Sequence, residues 1–191
     1  WFNLYPLRNQ GGVIVSMVFI ASSGVLSSSA VSFDFTNIPQ TFTHLQVRVY
    51  GRTTTTGVPQ AALIQFNDDI FAANYTGHSL SGNGASATSI VTDNAGTFFT
   101  AQIMAGSSAA TGVFSNAIID VLDYTSTNKT KVIRYVAGVD NNGSGQVTFG
   151  SGVWFKTPLA AVTKMGFYSN SIAAGSRFDL YGITSSQVTG A

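Results

Sequence analysis

The chain has 191 residues, 45% of them apolar and only 9% charged, with a net charge of +1 and no cysteine. All eight acids are Asp, and 22 Ser, 21 Thr and 20 Gly stand where helical proteins carry Glu, Lys and Arg, so helix bundles and doubly wound α/β folds are set aside. Nine scattered basic residues form no stripe, which argues against a nucleic-acid partner; no apolar run approaches the roughly 20 residues of a spanning helix, and the missing thiols remove disulfides, thiolate metal sites and cysteine nucleophiles.

Taken in chain order, the first segment, Trp1–Ser16, differs in character from the rest of the chain. Its aromatic and aliphatic residues sit beside Pro6 and Gly11–Gly12, the composition of an extended arm. Such an arm has no core of its own, so Trp1, Phe2, Leu4, Tyr5 and Leu7 are the candidate partner-binding residues. A leader is the alternative reading. Met17 reads as a natural initiator, and Val13–Ala21, preceded by Arg8, has the length of a signal-peptide apolar region but a poor cleavage pattern.

From about residue 18, short apolar alternations are separated by Gly, Ser, Asn and Pro clusters. His44–Arg52 puts Leu45, Val47 and Val49 on one side and His44, Gln46, Arg48 and Tyr50 on the other, the period of a half-buried strand. The same reading predicts strands at Val31–Phe35, Ala62–Phe66, Tyr75–Leu80, Phe98–Ile103, Val113–Leu122, Lys131–Val139, Gln146–Lys156, Val162–Tyr168 and Arg177–Ile183. Turn chemistry at Asn37–Pro39, Thr56–Pro59, Asn67–Asp69, Asp140–Gly143 and Ala173–Gly175 punctuates them. Ser81–Gly96 and Ala105–Gly112 read as loops or irregular edge strands. The expected fold is all-β: a single-domain antiparallel β-sandwich of jelly-roll type with about ten strands. The expected boundaries are an arm or leader over 1–17, the sandwich over 18–185 and a tail over 186–191.

Chemistry-bearing residues are few. His44 and His78 are the two histidines, and each alternates as a hydrogen-bonding surface or edge residue. No G-x-S-x-G elbow singles out a serine. Asp68 and Asp69 would point to opposite sides if extended, and Asp120 and Asp123 flank a strand end; neither pairing is a specific glycosidase signal, and turn-forming Asp is the better reading. Asn67–Asp69 and Asp140–Asn142 could offer a cation two or three oxygens each, without EF-hand spacing. The N-x-S/T triplets at Asn74, Asn128 and Asn142 arise easily by chance in so Ser/Thr-rich a chain. Most aromatics belong to a core, while outward ones such as Tyr50 or Tyr168 could stack on sugar rings or enter a subunit interface. The chain is read as non-enzymatic, with no catalytic residue, no metal and no cofactor.

Several motifs fall in a recognisable order. FTNIPQTFTHL over Phe35–Leu45 is followed by Val47–Arg52, by IQFND over Ile64–Asp68, by Asn74–Tyr75, by HSLSGNG over His78–Gly84 and by AGSRFDLYGI over Ala174–Ile183. Over about residues 18 to 185 this resembles a family of small structural proteins of tailed bacteriophages, described as virion or tail-associated. Phe42 stands where the family carries Tyr, and Asp69 where it often continues with other small residues. The resemblance implies a non-enzymatic protein of the virion surface, with other capsid or tail proteins as partners and no membrane contact. Capsid decoration as a homotrimer is the first expectation; a tail-fibre or baseplate adhesin that binds host-surface glycan through loops such as Ser81–Gly96 is the second.

Overall fold

In the computed structural model of the chain, residues 17–71 and 73–184 are described, 92–95 by their backbone alone. Twelve strands follow one another: β1 (Met17–Ser22), β2 (Ala30–Phe35), β3 (His44–Gly51), β4 (Gln60–Phe66), β5 (Tyr75–Gly82), β6 (Ala87–Gly96), β7 (Phe99–Met104), β8 (Ser115–Leu122), β9 (Lys131–Asp140), β10 (Gly145–Trp154), β11 (Met165–Ile172) and β12 (Arg177–Ile183). All neighbouring strands pair antiparallel. One sheet has eight strands in the order β1-β12-β3-β8-β9-β10-β5-β6; the other has four, β2-β11-β4-β7.

That order is a jelly roll with two additions. Without the hairpins β5–β6 and β9–β10, two four-stranded sheets remain, β1-β12-β3-β8 facing β2-β11-β4-β7, and the steps β1 to β2, β3 to β4, β7 to β8 and β11 to β12 each cross between sheets. Both hairpins join the same edge, beside β8. They double the width of one sheet and leave the other at four strands.

The alternation in the sequence sets which side chains meet between the sheets. Leu45, Val47 and Val49 of β3 lie against Ala117, Ile119 and Val121 of β8, all buried. Phe66, Tyr75, Phe99 and Trp154 form one aromatic cluster, with Tyr75 edge-on to Phe99 at 5.0 Å and Phe66 edge-on to Trp154 at 5.5 Å. Phe33, Phe35, Phe167 and Phe178 form a second one under β2, β11 and β12. At the β9–β10 turn, Asn142 and Gly143 take positive φ (51° and 97°), the Asp140 carboxylate accepts from Asn142 N–H at 3.0 Å, and Asn141 N–H closes onto Ser144 O at 2.7 Å.

The sandwich is as expected, with twelve strands where about ten were predicted. β1 starts inside the run Val13–Ala21, where Met17–Ala21 is apolar at every position and shows no strand period. β6 lies within Ser81–Gly96, where Ser, Thr, Asn and Gly give little strand signal and the backbone ladder to β5 supplies the order. β11 begins at Met165, three residues later than predicted, because Val162 N–H is bonded to Tyr124 O in the preceding loop. The stretch 105–112 is a loop, wrapped around Arg52, whose guanidinium donates to Ala109 O and Ala110 O at 2.9 Å and to Val113 O at 2.5 Å. The arm, its residues Trp1, Phe2, Leu4, Tyr5 and Leu7, and the tail 186–191 lie outside the described residues.

Candidate functional site on the outer face of the wide sheet

The residues singled out from sequence disperse over the fold. His44 Nδ1 accepts from Asp123 N–H at 3.0 Å, which makes it a clasp between β3 and the β8–β9 loop. His78 is exposed on β5. Asp68 pairs with Lys164 at 2.6 Å, whereas Asp69 turns into the protein and is buried. Asp120 meets Arg134 at 3.3 Å and Asp123 meets Lys129 at 2.7 Å. These carboxylates each have their own cation and do not converge; among the described residues no three His, Asp or Glu side chains gather into a metal-binding group. Tyr168 lies on the outer face of the narrow sheet near Asp34, and burial, with the Asp34 charge behind it, pushes its hydroxyl up. Tyr50 lies on the opposite side of the molecule, on the outer face of the wide sheet.

That outer face has two halves of different chemistry. Strand register places Ile118 (β8), Val136 (β9), Phe149 (β10) and Leu80 (β5) side by side in one row. All four point away from the core and are exposed, Phe149 by 60% and Leu80 by 53%. Val147 adds to the row on the β10 side, and Gly138 and Gly82 flank it in register without side chains of their own. Together these five apolar residues leave on the order of 400 Å² open, in the range of the largest patch that monomers tolerate.

The other half, over β3 and β12, carries aromatics and arginines. Tyr50 stacks on Phe114 at 4.7 Å and 13°. Tyr181 is held edge-on by Phe19 of β1 at 5.9 Å and carries Arg48 over its ring at 5.4 Å. Asp179 stands opposite Arg48 in register but turns along its own strand to Arg177 Nε, at 2.8 Å. The Nε of Arg48 reaches only Gln46 Oε1, at 3.4 Å. Between the two tyrosines lies an open concavity of about 560 Å³, lined by both arginines and Asp179.

No family model, curated protein or solved structure matches the chain.

Alternation in the sequence places Tyr50 on an outward face and does not announce the apolar row. Part of its signal is present: within Asn116–Leu122 and Val132–Ala137 the outward phase mixes Ile118, Leu122, Val132 and Val136 with Asn116, Asp120 and Arg134, so each strand has Ile or Val on the side away from the core as well as on the core side. Apolar residues in the outward phase favour cover on that face as well. Among the described residues only one face is covered.

Proposed function

We propose that this chain is a non-enzymatic structural subunit of the outer surface of a bacteriophage virion. It would decorate the capsid as a homotrimer and bury part of its wide sheet against copies of itself or neighbouring capsid proteins. The phage assignment rests on the ordered sequence motifs. The assembly role rests on one structural observation, the exposed row Ile118–Val136–Phe149–Leu80 on a rigid sheet face. Stable interfaces cover about 800 Å² on each partner, with an apolar centre and a polar rim. The row has the size of such a centre, and the Asp120–Arg134 pair lies at its border. A chain with so few charges also lacks the electrostatic repulsion that keeps monomers apart, which favours repeated packing.

Imaging of intact particles tests the proposal. A decoration subunit is expected on the shell in hundreds of copies, at threefold or local threefold positions; absence from the particle overturns the reading. A second reading, a tail-fibre or baseplate adhesin that binds host glycan, is favoured by the Tyr50–Tyr181 concavity. It calls for a few copies at the tail.

A further inference from the structure

We infer that the concavity between Tyr50 and Tyr181 is a binding site for a carboxylated sugar, with Arg48 as the group that takes the carboxylate. The inference deepens the glycan-binding reading by naming the ligand class.

Arg48 carries the argument. Among the described residues, no carboxylate lies within ion-pair distance of it, although Asp179 is its direct cross-strand neighbour. Asp179 is spent on Arg177, with its two oxygens at 2.8 and 2.9 Å from one Nε, so Arg48 stays unneutralised and the site keeps a net positive charge. The cation–π contact with Tyr181 holds the Arg48 guanidinium carbon 5.4 Å from the ring centroid without using its terminal N–H donors. A guanidinium positioned over a ring, with its terminal N–H groups left for a ligand, can take a carboxylate in bidentate fashion.

The walls define the rest of the ligand. Tyr50 is half exposed, and the stack against Phe114 fixes its ring in place. The Phe19 edge fixes Tyr181 in the same way. The open face of the Tyr50 ring offers flat apolar surface to the C–H face of a pyranose, while Tyr181 backs Arg48, and Asp179 and the remaining N–H groups of Arg177 offer hydrogen bonds to hydroxyls. The opening of about 560 Å³ has room for one or two sugar rings. A nucleic acid is disfavoured, since a phosphate chain needs several cations in line and Asp179 and Asp120 interrupt this face.

The test is calorimetric titration of the full chain with uronic-acid oligosaccharides (galacturonate, glucuronate and mannuronate) and a sialylated trisaccharide. Their carboxyl-reduced counterparts and inorganic phosphate serve as controls. At least one acidic sugar is expected to bind and to lose about tenfold or more in affinity when its carboxyl is reduced, when Arg48→Gln is introduced, or when Tyr50→Ala removes the wall. Both substitutions lie on the outer face, and unchanged thermal unfolding shows that the fold is kept. Equal binding of a reduced sugar overturns the carboxylate role and leaves the glycan reading standing. Phosphate that binds as tightly as the acidic sugars, or an Arg48→Gln variant that binds like wild type, overturns the assignment. No binding by any sugar overturns this inference and the glycan reading together, with the particle location still decided by imaging.

Discussion

The indole N–H of Trp154, the last residue of β10, donates to the buried carboxylate of Asp69 in the β4–β5 loop at 2.7 Å. The same carboxylate accepts from Asn74 Nδ2 at 2.7 Å and from Phe71 N–H at 3.1 Å, and Lys156 stands 3.9 Å away. One oxygen pair thus ties an added hairpin to the jelly roll and holds a loop whose tip presents Ile70 and Phe71 to solvent. Asp69→Ala would leave the indole and amide donors unpaired in the interior and is expected to cost about 2–4 kcal/mol. Chemical denaturation measures it; a loss below that of an ordinary surface substitution would show that water replaces the carboxylate.

The same site predicts a pH dependence. Burial pushes the Asp69 carboxyl up, but the bonds from Asn74, Trp154 and Phe71 N–H and the Lys156 charge outweigh it and hold the group below its ordinary 3.8. A carboxyl with a lowered folded-state pKa contributes stability that is fully present above its unfolded value and is lost as pH falls through the folded one. Wild type should therefore lose stability below about pH 4, and Asp69→Asn, which has no proton to take up, should lose less over the same range. Melting curves of the two proteins between neutral pH and about pH 2 read the difference directly.

The sandwich was legible because its inner faces obey one rule, alternation, and the inserted β9–β10 hairpin announces its turn with Asp140–Gly143. The topology was not, because nothing in β5 or β10 states that the two pair with each other across the sheet; that is set by packing of Tyr75 and Trp154 on the same aromatic cluster. The site was half legible. Tyr50 stands out on a polar strand face, whereas Phe149 and Leu80 sit on different hairpins far apart in sequence and become one row only through strand register. Arg52 gave no signal at all, since its partners are main-chain carbonyls and carry no side-chain signature.

Arg52 is expected to be the keystone of the β7–β8 loop. Its guanidinium donates to Ala109 O, Ala110 O and Val113 O, with Ser107 O at 3.4 Å. Arg52→Met keeps much of the stem's packing and removes every one of these bonds. A cost of about 2–3 kcal/mol is expected, with faster amide exchange confined to 106–113. Exchange that speeds up evenly along the chain would contradict this local role.

The apolar row gives the most direct test of assembly. Phe149 points outward, so Phe149→Lys should change monomer stability by no more than about 0.5 kcal/mol, while a lysine at the centre of an apolar interface opposes burial. Light scattering after size exclusion should show the oligomer shifted to monomer with its melting profile retained. An unchanged mass would place the contact surface elsewhere on the molecule.

Glycines on the added hairpins separate the two faces of the sheet in a single experiment. Gly152 of β10 faces inward, where a Cβ would stand 2.4 Å from the Phe99 ring and 2.6 Å from Thr76 O. The ring is locked between Phe66 and Tyr75, and the carbonyl belongs to the neighbouring strand, so neither can yield cheaply. Gly152→Ala is expected to cost about 1–3 kcal/mol, the ordinary range for overpacking a filled core. Gly138 of β9 faces outward beside the apolar row, and a Cβ there meets nothing nearer than 3.9 Å. Gly138→Ala should leave stability unchanged or raise it by about 0.5 kcal/mol, because alanine gives up less chain entropy on folding. If subunits dock on this face, however, the added methyl projects into the contact, and Gly138→Ala should weaken assembly without destabilising the monomer. Denaturation and mass measured on both variants distinguish a glycine kept for the core from one kept for the surface.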